Sequence, residues 1–234
     1  MRAFNHLGSR VAGSREARAA RIYIKSEFEK LGLSVAEQLA AVVDTGGQPV
    51  ELTHLTGVIE GRSKDILLLA THYDTSPFDN AVPRRTDQRA SGVALLLELA
   101  RTLTANEKPE YTIWLTFIDG DALDPTSETA SNARVGSQSL VAEWKRLSVF
   151  GQIRAAFFYG NVGDRDLPIL RDIDSPRMYR EEFWEAAAGL GFEDNFPRNS
   201  GYGPSNTGRD VFADANLRAS VALANSQDSD AAAR

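Results

Sequence analysis

Polar, titratable residues follow two apolar segments of the chain and could carry chemistry. The run from Ile66 to Thr71 is apolar until its last residue, and His72 and Asp74 come directly after it. An imidazole and a carboxylate can bind a metal ion or transfer protons, and two residues at this spacing lie on one face of a continuing strand. A second apolar run, Tyr111 to Ile118, leads into Asp119-Gly120-Asp121. Such strand ends are where α/β sheets place ligands.

The elements that must position these residues can be predicted from periodicity. Apolar runs at 66–71 and 111–118 predict central strands that are covered on both faces. Further strands are expected at 33–43, 50–60, 153–159 and 219–224, and helices at 14–31, from Ser91, at 135–147 and from Pro176. This alternation predicts one α/β domain over residues 1–234, a three-layer α/β/α sandwich around a mixed, mostly parallel sheet. Residues 226–234 are expected to form a disordered tail.

Composition excludes several classes of protein. The net charge is −6 and the basic residues are dispersed, which disfavours a nucleic-acid partner. No apolar run approaches the roughly 20 residues that a membrane span needs. The first residues show no apolar signal region, so we expect a soluble form without a signal peptide, in a compartment that stays open. The absence of cysteine excludes disulfides, thiolate zinc sites and cysteine nucleophiles.

Four segments together resemble the M28 family of zinc aminopeptidases and the related glutaminyl cyclases. They are Gly8–Ser14, Ala70–Asp74, Ala90–Arg101 and Phe117–Asp121, with a weaker match at Val162–Leu167. The resemblance implies a zinc exopeptidase fold, and either metal-assisted removal of an N-terminal residue or cyclisation of an N-terminal glutamine. It also implies two zinc ions held by two His and three carboxylates, with a Glu as general base.

The resemblance assigns roles to three residues of this chain. His72 matches the first metal-binding His, and Asp74 matches the carboxylate that orients it. Asp121 stands at the position of the general base, with a side chain one methylene shorter. We interpret Asp121 as a vestigial base and a solvated loop-end carboxylate. Asp74 is expected to cap a loop amide or to pair with His72, which we interpret as a polar residue at a strand end.

Four metal-ligand positions of the family are lost. Gln88 replaces a ligand Asp, with Asp87 one residue early, and Ala122 and Gly160 replace two further carboxylates. No His follows His72, so the last His ligand is missing. A carboxamide is a poor zinc ligand, Ala and Gly offer none, and a closed zinc site needs about four. The sequence therefore predicts an M28-like domain that is catalytically impaired or inactive, a pseudoenzyme with no cofactor.

Two alternatives stay open. The chain could be an active zinc-dependent aminopeptidase or glutaminyl-peptide cyclotransferase with a shifted ligand set of His72, Asp87 and Asp121. It could instead be a non-catalytic module whose cleft binds a peptide N-terminus or a protein partner through the loops at 124–134 and 201–208. Asp164 and Asp166 resemble acids of the family that support the metal ligands or lie in a loop, and they are otherwise interpreted as surface turn charges. His6 and His54 receive no role, and His54 is expected in an edge-like segment.

Overall fold

The computed structural model describes Phe4 and residues 6–43, 47–76, 83–123, 134–163, 168–198, 202–203 and 207–225. Within them, eight strands form one sheet in the order β1-β2-β4-β3-β5-β8-β6-β7. The strands are β1 (Val35–Val43), β2 (Pro49–Ile59), β3 (Ile66–His72), β4 (Thr112–Ile118), β5 (Ile153–Tyr159), β6 (Ile169–Asp172), β7 (Tyr202–Gly203) and β8 (Ser220–Asn225).

The sheet is mixed, with its parallel part in the centre. Strands β4, β3, β5 and β8 are neighbours and run parallel, and β7 runs parallel to β6. Strand β2 is antiparallel to both β1 and β4, and β6 is antiparallel to β8. The predicted mixed, mostly parallel sheet is therefore confirmed. The short strands β6 and β7 were not predicted, because four and two residues are too few to show periodicity.

Helices cover both faces of this sheet. They are α1 (Arg15–Lys30), α2 (Pro83–Thr104), α3 (Val135–Arg146), α4 (Arg177–Gly189) and α5 (Arg209–Asp214), with a 3₁₀ turn at Phe150–Gln152. On one face Phe28 of α1 packs edge-on against Phe117 of β4. On the other face Trp144 of α3 packs against Phe212 of α5. This arrangement confirms the three-layer sandwich. None of the described helices is long and apolar enough to cross a bilayer.

The start of α2 differs from the sequence prediction. The helix begins at Pro83 and not at Ser91. Proline suits a first helical turn, but the polar residues between Pro83 and Ala90 show no apolar periodicity that would reveal a helix. Ser91 is therefore no cap: it lies inside α2, and its hydroxyl accepts a hydrogen bond from the Val162 N–H at 3.0 Å. At α1, by contrast, the predicted cap is confirmed, since the Ser14 hydroxyl accepts from the Ala17 N–H.

Several predictions fall elsewhere. The described residues do not include 124–133, 164–167, 199–201, 204–206 and 226–234. The predictions for the polar loop, the Gly-rich loop, Asp164, Asp166 and the tail therefore stay predictions. The single domain over residues 1–234 also stays a prediction. The expectation for His54 is wrong, because β2 lies between β1 and β4 and leaves His54 only 1% exposed.

Candidate functional site

The candidate site lies at the carboxyl edge of the central strands. His72 ends β3 and pairs with Ile118, the last residue of β4. Thr71 pairs with Tyr159, the last residue of β5, so Gly160 follows at the same edge. The parallel register thus brings together three chain segments that are far apart in sequence, as expected for a ligand site of an α/β sheet.

Asp74 holds the loop that follows β4. Its Oδ2 accepts hydrogen bonds from the backbone N–H groups of Gly120, at 3.0 Å, and Ala122, at 2.8 Å. The residue is fully buried. A buried carboxylate is stable only when it is hydrogen-bonded, and two buried amides need an acceptor. Asp74 therefore caps loop amides, one of the two roles predicted for it.

Asp121 is tied to the first turn of α3. Its Oδ1 accepts from the Ser137 N–H at 2.6 Å, and its Oδ2 accepts from the Ser137 hydroxyl at 2.5 Å. The Asp121 side chain is only 2% exposed, so the expectation of a solvated carboxylate is wrong. The physical reason is that the first N–H groups of a helix lack partners within the helix, and Arg134, at the cap position of α3, forms no side-chain cap.

His72 and Asp121 approach each other beneath the turn that precedes α5. The Nδ1 of His72 lies 3.5 Å from the Oδ2 of Asp121. Gly208, which has a φ of +80°, packs against this pair: a Cβ there would lie 3.0 Å from Asp121 Oδ2 and 3.5 Å from His72 Cε1. It would also lie 2.7 Å from the Ser137 hydroxyl oxygen. Glycine is therefore required both by the backbone angle and by the close approach.

His54 supports the same loop from the neighbouring strand. Its Nδ1 accepts from the Asp119 N–H at 3.2 Å, so the proton of the neutral ring lies on Nε2, which donates to the Ser139 hydroxyl at 2.9 Å. Ser139 donates in turn to the carbonyl of Gly136. Burial lowers the pKa of His54 to about 4, against the opposing charge of Asp121. No local pattern around His54 indicates this role, because its partners lie 65 and 85 residues away.

A second buried group lies behind the site. The Asp119 carboxylate accepts from the Thr53 N–H at 3.0 Å and from the Tyr73 hydroxyl at 2.7 Å, and Arg21 lies 3.8 Å away. Burial raises the pKa of Asp119, although these hydrogen bonds and the Arg21 charge act in the opposite direction. These contacts join β2, β3 and α1 to the end of β4, so the loop that bears Asp121 has a rigid base.

The described residues do not fit a zinc pair. Ala122 is buried and has no donor atom, and Gly160 has no side chain. Asp87 and Gln88 lie in the second turn of α2, and their side chains are outside the described part of the structure. Among the side chains that are described, no three of His, Cys, Asp or Glu are placed to hold a metal ion. His72 and Asp121 are brought together, and neither Ala122 nor Gly160 adds a side-chain donor to them.

Comparison with solved structures shows the same fold. A glutaminyl cyclase from an Acidobacteriales bacterium is 23% identical with a TM-score of 0.83, over 95% of this chain and 76% of that one. A Zn-dependent exopeptidase from Parabacteroides distasonis is 20% identical with a TM-score of 0.82, over 95% and 80%. A leucine aminopeptidase precursor from Bacteroides thetaiotaomicron is 22% identical with a TM-score of 0.81, over 97% and 82%.

The sequence comparisons identify the family. No curated protein sequence matches the chain. Residues 54–220, which are well over half of the chain and include β3, β4, β5 and the site between them, match peptidase family M28. The chain therefore belongs to peptidase family M28.

Proposed function

We propose that this chain is an M28 family member whose cleft has lost metal-dependent catalysis, so that it is impaired or inactive as an aminopeptidase or glutaminyl cyclase. Such a domain keeps a cleft that can bind a peptide N-terminus or a protein partner without reacting with it. The observation that carries the proposal is the engagement of both Asp121 oxygens by Ser137.

This engagement, together with burial of the side chain, supports a structural role for Asp121 and not that of a general base. A base must offer a lone pair to the proton that it takes, within hydrogen-bond reach of the water or substrate. Each oxygen of Asp121 already has a donor, the side chain is 2% exposed, and Gly208 packs against it. The carboxylate acts as an acceptor for the start of α3, which supports a structural role in place of a catalytic one.

The donor set supports the same conclusion. A catalytic zinc ion in proteins has about three protein ligands and one open position. At the positions that match the ligands of the family, Ala122 and Gly160 contribute no side-chain donor and Gln88 contributes only a carboxamide. The reaction would therefore need a ligand set built around His72 and Asp87, which is the arrangement that the experiment must test.

The test measures zinc and activity on the same samples. The protein is dialysed against excess Zn²⁺ and then against metal-free buffer, and bound zinc is measured by elemental analysis beside His72→Ala and Asp87→Asn. Hydrolysis of an aminoacyl-coumarin and pyroglutamate formation from a glutaminyl peptide are assayed at high protein concentration. We expect zinc well below one equivalent, equal in all three proteins, and no activity above that of the variants.

One result would overturn the proposal. Stoichiometric zinc that is lost in both variants, together with turnover that a chelator abolishes, would show an active enzyme with the shifted ligand set. Zinc that stays bound in His72→Ala would lie elsewhere on the protein and would leave the proposal intact.

A further inference from the structure

Strand β1 forms an open edge of the sheet. Within the described residues its nine residues pair only with β2, in a register without a bulge. Edge strands are usually protected by proline, lysine, a bulge or a covering element. This strand, VAEQLAAVV, has no proline and no lysine, and Glu37 is its only charged residue.

The hydrogen-bond pattern shows which backbone groups face outward. The Val58 N–H donates to the carbonyl of Ser34, so this pair is of the hydrogen-bonded type. Directly opposed pairs of an antiparallel ladder alternate between hydrogen-bonded and non-hydrogen-bonded. The alternate residues of β1 therefore direct their N–H and C=O groups away from β2, and these are Val35, Glu37, Leu39, Ala41 and Val43.

Strand β2 confirms this assignment at two positions. Thr53 lies opposite Leu39, and its N–H donates to Asp119 while its carbonyl shares the single Tyr73 hydroxyl proton with Asp119. Both groups of Thr53 are thus used on the side away from β1. Pro49 lies opposite Val43 and has no N–H to donate. The backbone N–H and C=O groups of Leu39 and Val43 therefore point away from β2, where another strand could pair with them.

An apolar patch lies beside this row of backbone groups. Leu39 is 66% exposed, Val43 is 65% exposed, and Ile22 on α1 is 63% exposed. Lys25 of α1 pairs with Glu37 of β1, and the chain reverses direction between the two elements. Ile22 is one helical turn before Lys25, and Leu39 is two residues after Glu37, so each of these exposed apolar residues lies close in sequence to a member of the ion pair.

We propose that β1 pairs antiparallel with β1 of a second copy of this chain, about a two-fold axis at Leu39. The outward residues then meet as five hydrogen-bonded pairs, with roughly ten backbone hydrogen bonds in total. Leu39 faces Leu39 of the second copy, and Val35 faces Val43. The two eight-stranded sheets become continuous, and the exposed apolar side chains of both copies adjoin across the axis.

Charge favours a second copy as the occupant. In this register Glu37 faces Ala41 of the second copy, so no like charges are directly opposed. Lys25 of the same chain already neutralises Glu37, and the rest of the strand is uncharged. The edge is therefore complementary to itself, as a two-fold interface requires.

The test is the oligomeric state of the full chain, measured by sedimentation velocity over a wide concentration series. Leu39→Lys places like charges opposite each other, and we expect it to raise the dimer dissociation constant about tenfold or more. Leu190→Lys, an equal change at a residue that is 73% exposed beside the end of α4, is the matched control and should leave the constant unchanged. A mixture of Leu39→Lys with Leu39→Glu should restore the dimer.

Three results would overturn this inference. One is a wild-type chain that is monomeric at every concentration. Another is a dimer that Leu39→Lys and Leu190→Lys affect equally. The third is a Leu39→Lys and Leu39→Glu mixture that stays monomeric while both variants keep the wild-type circular dichroism spectrum. None of these results depends on whether the cleft binds metal.

Discussion

The Asp121 carboxylate accepts hydrogen bonds from both the N–H and the hydroxyl of Ser137, at 2.6 and 2.5 Å. These bonds join the loop after β4 to the start of α3. The two residues are 16 positions apart and belong to different layers of the sandwich. A carboxylate at the start of a helix also interacts favourably with the helix dipole. The pair therefore stabilises the fold at the carboxyl edge of the central strands.

The first prediction concerns the stability of this pair. Asp121→Ala leaves a buried N–H and hydroxyl without their acceptor, and we expect a loss of about 1–3 kcal/mol in the free energy of unfolding. Ser137→Ala removes only the hydroxyl and should cost about 1 kcal/mol. In a double-mutant cycle by urea denaturation the two changes should not add. Asp194→Ala, at an exposed turn, is the control. If Asp121 were kept for catalysis, its removal would leave the free energy of unfolding unchanged or higher.

The second prediction concerns Gly208. Gly208→Ala would place a Cβ within 3.0 Å of two oxygen atoms of the site, on a backbone with a φ of +80°. Gly191 also has a φ of +80° but has nothing within 4 Å of a Cβ position. Gly191→Ala should cost about 1 kcal/mol from the backbone angle alone, and Gly208→Ala should cost about 1–3 kcal/mol more from crowding. The free energy of unfolding of both variants is measured by thermal and chemical denaturation. Equal losses in Gly208→Ala and Gly191→Ala would contradict the packing of Gly208 against Asp121.

The third prediction concerns acid stability and His54. Because burial lowers the pKa of His54 from 6.5 to about 4, the unfolded chain takes up a proton at this residue before the folded chain does. Stability should therefore fall as the pH drops from 6.5 towards 4, by about 3 kcal/mol from this residue. His54→Gln should reduce this slope in denaturation curves measured at several pH values. His6→Gln, at an exposed position, should keep the wild-type slope.

The fourth prediction concerns the three positions at which we propose that metal ligands are lost. Restoring carboxylates with Gln88→Asp, Ala122→Glu and Gly160→Asp should lower the melting temperature of the metal-free protein by several degrees, because like charges would gather around Asp121. The matched control carries the neutral amides, Gln88→Asn, Ala122→Gln and Gly160→Asn. Calorimetry in chelator should find the charged set less stable than the amide set. Equal melting temperatures would show that these positions do not share one cleft.

Much of this architecture could be predicted because buried strands and helices have recognisable local patterns of apolar residues. A strand covered on both faces is apolar along its length, which revealed β3 and β4, and a helix with one apolar face shows a period of 3.6, as in α1. The start of α2 shows no apolar periodicity, because the residues between Pro83 and Ala90 are uniformly polar. The strand order and the internal position of β2 were also beyond prediction, since they depend on pairings between strands that are far apart in the sequence, such as β2 with β4.

For the site, the residue types show which donor atoms exist: one imidazole at the end of β3, a carboxylate after β4, and no side-chain donor at Ala122 or Gly160. The use of the remaining lone pairs depends instead on how the layers of the sandwich pack together. Asp74 binds two loop amides, Asp121 binds Ser137, and His54 bridges three elements. A hydrogen bond forms between whichever groups the packing of the layers brings within about 3 Å, and that packing depends on the whole chain and not on any one segment.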